Sequence, residues 1–478
     1  MGALACGRLP PRGTDGRRRL RETRTGALEL SELSASNGQT EHGWGGLESL
    51  LSGVPADIAR ILAKPLEGSE VTVEEGTRLF EADGAALLAL MATADELRRQ
   101  VNGDRVTYVV NRNINFTNVC IKRCGFCAFS RDFREEEGYF LPLNEIVRRA
   151  REAVDLGATE VCIQAGLPPK MEGSLYIDLT RELKAELPDV HIHGFSPEEV
   201  LYGAVRSRGS IEDYLRGLRD AGVGSLPGTS AEILDQPVRD RIAPGRITVD
   251  QWTDVITTAH RLGIPTTSTI MFGHVETNEH RAAHLAYLRD IQKATGGFTE
   301  FVPLSFVHAE APMFVKQMSD EMRPGATGAE VVRMHAIARI MLHGWIDNIQ
   351  CSWVKEGPKL AQLLLTAGCN DVGGTLINES ISTAAGASYG QLVPPSELRR
   401  WIRDAGRLPV ERTTLYETRR VHEVEPDEPE PLDLAAAHPE RFGSYRELIK
   451  LEAFRYEGQR APDLEGPTLP EALAAAQG

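Results

Sequence analysis

From Val106 to about Thr375 the chain repeats one pattern: a short apolar, β-branched run, a turn containing glycine, then a stretch with helical apolar spacing. The strand-like runs include VTYVVNRNINF, TEVCIQAG, DVHIHGF, PTTSTIMFG, FTEFVPLSF and IDNIQCSWV; between them lie LNEIVRRAREAVDLG, SLYIDLTRELKAEL, VDQWTDVITTAHRLG and HRAAHLAYLRDIQKATG. A strand period followed by a helix period, with short links, predicts βα units and a parallel sheet. About eight such units in series predict a (β/α)8-type barrel, closed or partly open. In barrels of this kind the chemistry gathers at the C-terminal ends of the strands.

The loop after the first strand reads NINFTNVCIKRCGFCAFSR and places Cys120, Cys124 and Cys127 at C-x3-C-x2-C, with Phe126 just before the last cysteine. Iron–sulfur clusters are normally held by four thiolates. Three in a tight group, with no fourth nearby, leave one iron open to another ligand. This spacing resembles that of radical S-adenosylmethionine (SAM) enzymes, whose open iron chelates SAM. The competing reading is a zinc knuckle, yet structural zinc takes four ligands and the loop contains no histidine. Cys162, Cys351 and Cys369 lie in or beside apolar strands and read as packed thiols.

A chain of 478 residues with 41% hydrophobic residues has room for a large barrel and extensions. A net charge of −15 argues against nucleic acid as a partner. No apolar run approaches the ~20 residues of a membrane span. Seven cysteines, an odd number and mostly dispersed, suit a reducing cytoplasm better than a disulfide scaffold, and the Arg-rich N-terminus lacks the apolar stretch of a secretory signal. Residues 1–45 are expected to be disordered or to be upstream sequence from a misplaced start, 46–105 to form a helical cap, 106–375 the barrel and 376–420 its C-terminal extension. Residues 421–478 read as an acidic, Pro-rich linker (EVEPDEPEPLDL) and a helical tail, neither of them catalytic. A span from about Leu47 to Tyr416 is accordingly expected to fold and hold its cluster alone.

Site candidates follow the strand ends. Gln164, Ala165 and Gly166 follow the second strand, as a ligand cradle or an ordinary turn. His191 and His193 share one face of a strand, as substrate contacts or hydrogen-bonded core residues. Ser196, Glu198 and Glu199 in FSPEE suit a site or a helix cap, and a cap accounts for at least one of the carboxylates. Gly228 and Thr229, then His274 and Glu276, end later strands, the last two as candidates for proton transfer. Ser305 and His308, then Gln350, Ser352, Trp353 and Lys355, then Asn370, Asp371, Gly373, Gly374 and Thr375 complete a polar lining suited to a substrate rich in hydroxyl and amide groups.

NRNINFTNVCIKRCGFCAF, HIHGFSPEEV, SLPGTSAEIL, TTSTIMFGHVET, GGFTEFVPLSFVH, NIQCSWVK and NDVGGTL together resemble the FO synthase subunit 2 family, over about Leu47 to Tyr416. The resemblance implies a (β/α)8-type radical SAM barrel with a [4Fe–4S] cluster on Cys120, Cys124 and Cys127. It implies cofactor contacts from Phe126, Gln164, Ala165, Gly166, Ser196, Gly228 and Thr229, and substrate contacts from Ser305, His308, Asn370 and Asp371. Catalytic candidates remain His191, His193, His274 and Glu276. The implied reaction cleaves SAM to a 5′-deoxyadenosyl radical, breaks the Cα–Cβ bond of L-tyrosine and joins the hydroxybenzyl fragment to 5-amino-6-(D-ribitylamino)uracil. FO synthase subunit 1 and an electron donor are the implied partners. The turn QAGLPP departs from relatives, which more often read QGG with a histidine two residues on; here Ala165 and Pro168 take those places. The alternatives are a futalosine-pathway radical SAM enzyme and a non-catalytic Fe–S or zinc protein.

Overall fold

Eight parallel staves close on themselves in the computed structural model, which describes residues 44–318, 320–423 and 428–477. The expected disordered segment lies outside the described residues as far as residue 43, as do 424–427 of the acidic linker. Four helices come first: α1 (Trp44–Ser52), α2 (Ala56–Leu66), α3 (Val73–Leu79) and α4 (Gly84–Asn102). The barrel strands are β1 (Arg105–Val109), β2 (Asn111–Ile114), β3 (Glu160–Ile163), β4 (His191–His193), β5 (Thr266–Phe272), β6 (Phe298–Ser305) and β7 (Asp371–Gly374). Between and around them run α5 (Leu143–Asp155), α6 (Leu175–Glu186), α7 (Pro197–Ser207), α8 (Ile211–Ala221), α9 (Gln236–Ile242), α10 (Val249–Arg261), α11 (Asn278–Thr295), α12 (Pro312–Val315), α13 (Gly328–Leu342) and α14 (Trp353–Leu364).

The stave made of β1 and β2 bends at Val110. Its second half pairs with β3, and β3 with β4. Single bridges carry the circle through Ser225 and Leu226 to β5, then from β6 through Ile349 and Gln350 to β7. β7 returns to β1, with Thr107 opposite Asp371. Two staves are thus bridge-length only, in the segments GVGSLPGT and IDNIQCSWV, where glycine and polar residues interrupt the apolar run.

The helices hold their register through local chemistry. Ser196, Thr248, Thr277 and Thr327 cap α7, α10, α11 and α13 in reciprocal boxes with the residue three further on. α3 packs on α11 and α4 on α13, so the N-terminal helices lie against the outer helical ring. After β7 come α15 (Ile381–Ala384), α16 (Pro395–Asp404), β8 (Leu408–Arg412) and β9 (Thr418–Val421). LPVER becomes a strand parallel to β1 and brings Arg412 under the barrel.

The tail holds α17 (Pro431–Ala435), α18 (Tyr445–Leu448) and α19 (Leu469–Gln477). It packs on the flank of the cysteine loop. Phe140 N donates to Phe454 O at 2.8 Å, Tyr456 N to Gly138 O at 2.8 Å and Leu143 N to Asp463 O at 2.7 Å. Phe442, Tyr445, Leu448, Phe454 and Leu469 are buried. YRELIKLEAF is therefore a broken helix whose apolar residues serve the barrel. Among the described residues no helix is long and apolar enough to cross a membrane.

Candidate functional site

The cysteine loop is pinned from several sides. Cys120 N donates to Arg131 O (2.9 Å), Gly125 N to Ile242 O at the end of α9 (2.8 Å), and Met313 N of α12 to Gly125 O (2.7 Å). Gly166 locks the next turn against this loop: its N–H donates to Thr117 O, and a Cβ there would sit 2.3 Å from Val119 O. Glycine is needed at that position for backbone contact, independent of any ligand. Ala165 N donates to Glu199 Oε1 at 3.0 Å, and Glu199 also accepts from Ser196 N and Oγ. One carboxylate thus caps α7 and ties it to the turn after β3, and burial raises its pKa to about 7.

Cys120, Cys124 and Cys127 line a cavity of about 230 Å³ at the C-terminal ends of the staves. Phe126, Gln164, Ala165, Gly166, Ser196, Thr229 and Ser305 share its wall. Gly228 does not; a Cβ there would meet Thr267 O at 2.0 Å, so it serves strand packing. The wall is also charged. Arg246 Nη1 lies 2.9 Å from Glu232 Oε1 and 3.6 Å from Cys124 Sγ, its guanidinium stacks 5.2 Å from the Phe126 ring, and Lys122 Nζ lies 3.0 Å from Glu198 Oε1. Arg246 comes from the loop APGRIT, where no periodicity or motif marks it.

The donor set fits a cluster better than a single ion. Four thiolates about 2.3 Å from zinc lie roughly 3.8 Å apart. Among the described residues only Glu411, His422 and Glu430 bring three ligand atoms within 4.8 Å of one another, so the three thiols are spread wider. Those two carboxylates are already paired, with Arg419 and Arg399. Among the described cysteines no fourth joins the three in that wall. Glu232 Oε2 is buried there without a hydrogen-bond partner, an acceptor suited to the ammonium of SAM, beside Arg246 for its carboxylate.

A second cavity, of about 260 Å³, fills the bore. Alternate strand residues face it: Asn111 and Asn113, Glu160 and Cys162, Thr267 and Thr269, Glu300 and Val302. Gln164, Thr229, Thr269, Leu304, Lys355 and Ile381 belong to both walls, so the cavities adjoin. Asn113 Oδ1 and Thr414 Oγ1 are buried there without partners. Arg412 and Thr414 close the bottom; Arg412 Nε donates to Asp371 Oδ2 at 2.5 Å, and the Tyr416 hydroxyl donates to Glu300. Burial raises Glu300 to about 7.

The remaining candidates are placed as follows. His193 lines the bore; it and His191 each lie 2.7 Å from Ser225 Oγ, and burial lowers His193 to about 4. His191 is not in either wall. Glu276 accepts from Gly273 N and His274 N and pairs with Arg281 and Arg323, holding the turn into α11 away from both cavities. His308 meets Phe314 edge to face, 4.6 Å between centroids, and lines neither cavity. Asn370 Oδ1 accepts from Arg339 and Ile349 N, which braces β7. Asp371 supports Arg412 from behind the bore wall.

Comparison with known proteins agrees with this geometry. Residues 114–288 match the Radical SAM superfamily and residues 295–425 the CofH/MqnC C-terminal region. The chain is 50% identical over 357 residues to the 5-amino-6-(D-ribitylamino)uracil–L-tyrosine 4-hydroxyphenyl transferase of Methanothermobacter thermautotrophicus, covering 75% of this chain and 96% of that one. It is 48% identical over 338 residues to the FO synthase of Mycobacterium tuberculosis, covering 71% of this chain and 39% of that one. The [FeFe]-hydrogenase maturase HydG of Carboxydothermus hydrogenoformans superposes with a TM-score of 0.58 at 17% identity, over 78% of this chain and 84% of that one, a likeness of fold. This chain belongs to the radical SAM family of 5-amino-6-(D-ribitylamino)uracil–L-tyrosine 4-hydroxyphenyl transferases.

Proposed function

We propose that the chain transfers the 4-hydroxybenzyl group of L-tyrosine to 5-amino-6-(D-ribitylamino)uracil. The observation that carries this reading is a three-thiol pocket that shares a wall with a closed polar bore. One cavity suits the cofactor, and the other offers amide, carboxylate and hydroxyl groups to a polyhydroxylated pyrimidine. The cluster and SAM, when bound, supply a hydrogen-abstracting 5′-deoxyadenosyl radical.

The chain's own residues do the rest. Cys120, Cys124 and Cys127 hold the cluster. Arg246, Glu232 and Ser196 hold the amino-acid end of SAM, and Phe126 and the turn Gln164–Gly166 flank it. Asn113, Thr414, Gln350 and Glu300 bind the pyrimidine and its ribityl chain. His193, kept neutral by burial, offers its second ring nitrogen to the bore. Burial lifts Glu300 to about 7, so the bottom of the bore can donate or accept a proton there, while Tyr416 stays protonated and donates its hydroxyl to Glu300. The closed staves exclude water, which protects a radical intermediate and orients two substrates.

The product passes to FO synthase subunit 1, and a low-potential carrier supplies the electron. The mycobacterial FO synthases extend well beyond the matched portion, which supports a partnered second activity. A reducing cytoplasm suits iron–sulfur chemistry of this kind.

The test is anaerobic turnover of reconstituted protein with SAM, dithionite, tyrosine and the ribityl-diaminouracil, followed by mass spectrometry. The reading expects 5′-deoxyadenosine that depends on tyrosine and an adduct that needs both substrates. Tyrosine-independent turnover of a futalosine-type substrate would overturn it.

A further inference from the structure

The cationic side chains lining the two cavities are Lys122, Arg246, Lys355 and Arg412. Three are matched by carboxylates: Lys122 by Glu198 at 3.0 Å, Arg246 by Glu232 at 2.9 Å and Arg412 by Asp371 at 2.5 Å. Lys355 forms no ion pair among the described residues. Its ammonium has three donors, and among the described residues the one hydrogen bond it makes is to Ser382 Oγ of α15, at 3.1 Å. Glu379 and Glu356 act on it only at longer range. Glu379 is engaged with Ser382 N (3.0 Å) and Thr383 N (3.3 Å).

Position singles Lys355 out further. It is the one cation common to both walls, and it is half-buried, with its accessible part on the cavity side. Gly357 breaks the helix two residues later (φ 77°), so the turn Trp353–Glu356 is set off from the rest of α14 and carries Lys355 to the junction. An ammonium held beside a cavity with unused donors is costly unless an anion completes it. Of the three reactants in the proposed reaction, the ribityl-diaminouracil carries no anionic group at neutral pH. The carboxylate of SAM lies with Arg246. The remaining anion is the α-carboxylate of the amino acid, which must lie between cofactor and pyrimidine to react with both.

We propose that Lys355 binds the α-carboxylate of the L-tyrosine substrate at the junction of the two cavities. This inference rests on the proposed function. Ser382 steadies the ammonium, and α15 thereby becomes part of the substrate site. The contact fixes the amino-acid end and leaves the phenol side chain free to point toward the bore.

The test uses reconstituted holoenzyme, with tyramine, which is tyrosine without its carboxylate, as the probe. In the wild type, tyramine should compete with tyrosine at least ten times more weakly than tyrosine binds. Lys355→Met should raise KM for tyrosine by roughly 10–100-fold, the worth of a charge-assisted hydrogen bond. It should leave KM for SAM and for the pyrimidine within about threefold and the inhibition constant of tyramine unchanged. Lys355→Arg should recover part of the loss, and iron content and the SAM-induced change in the cluster's EPR signal should match wild type. Equal losses for tyrosine and tyramine, or an unchanged tyrosine KM, would overturn the proposal. Wild-type protein that binds tyramine as tightly as tyrosine overturns it without reference to any variant. Wild-type protein that turns over nothing with tyrosine defeats the functional reading itself, a different and visible failure.

Discussion

The cofactor pocket and the bore are neighbours in one barrel, yet they differ in where their polar groups are left open. In the pocket the charges pair within the protein, Arg246 with Glu232 and Ser230, Lys122 with Glu198 and Gly245 O, Glu199 with Ser196 and Ala165 N, and the atoms left open, Glu232 Oε2 and Arg246 Nε, belong to one such pair. In the bore Asn113 Oδ1 and Thr414 Oγ1 are buried with no partner, and Lys355 has spare donors. The contrast teaches that the pocket is preorganised for a fixed occupant, whereas the bore is completed by what enters it. A buried polar atom left unpaired costs about 1–3 kcal/mol, which the protein tolerates where a substrate satisfies it.

The largest effect should come from the pocket's thiols. Alanine at Cys120, Cys124 or Cys127 should abolish the brown cluster absorbance and stop SAM cleavage. Alanine at Cys162 or Cys351, both in the bore wall, should leave iron content near wild type. Loss of iron from a folded bore variant would erase the distinction between the two cavities.

Next comes Arg246. Arg246→Met takes from Glu232 its nearest cation and leaves it Arg239 at 3.7 Å, while Glu198 keeps Lys122; breaking a buried pair costs ~3 kcal/mol or more. SAM binding, followed by EPR, should weaken on the order of 100-fold, with a smaller loss on Arg246→Lys. An unchanged SAM affinity would move the cofactor's carboxylate elsewhere.

Removing residues 424–478 should then unsettle the pocket more than the bore, because the tail leans on 116–145 and on Phe129 through Tyr445. This revises the expectation that Leu47 to Tyr416 suffices. The shortened protein should melt several degrees lower and lose iron faster to a chelator, while any pyrimidine binding it retains keeps its affinity.

Thr414→Val makes the sharper, smaller test. The hydroxyl has no hydrogen-bond partner among the described residues, so stability should be unchanged or slightly higher. KM for the ribityl-diaminouracil should rise about 10-fold, with SAM cleavage in the presence of tyrosine intact. Equal stability and equal KM would show that Thr414 meets no substrate.

The smallest effect concerns His193. Its folded pKa of about 4 lies below the unfolded value near 6.5, because burial disfavours the imidazolium. The unfolded chain therefore binds more protons between these values. The stability it contributes is complete above pH 6.5 and is lost as pH falls toward 4. His193→Gln should flatten urea midpoints over that window relative to wild type; identical slopes would show that the imidazole titrates normally.

Some of this was legible before any coordinates. The βα period from Val106 onward specifies the barrel because each strand must bury two faces and each helix one. C-x3-C-x2-C states the cluster because ligand spacing in one loop is local. FSPEE announced a cap, and Glu199 is one. His274, Glu276 and Asn370 share the polarity and strand-end placement of site residues, yet they turn to Arg281, Arg323 and Arg339 instead. Sequence position alone does not separate a strand end that faces the cavity from one that faces a helix.

What the sequence determined by itself, then, is whatever depends on neighbours along the chain: strand and helix periods, helix caps, and three thiols in a single loop. Tertiary structure alone decided the rest. It brought Arg246 from an unmarked loop to Cys124, placed Arg412 and Thr414 beneath the bore through a strand parallel to β1, and folded the tail back over residues 116–145. It also left Lys355 as the unmatched cation between two cavities. The physical reason is that pairing, burial and the lack of a partner are properties of contacts between residues far apart in sequence. No local pattern records them until the barrel closes.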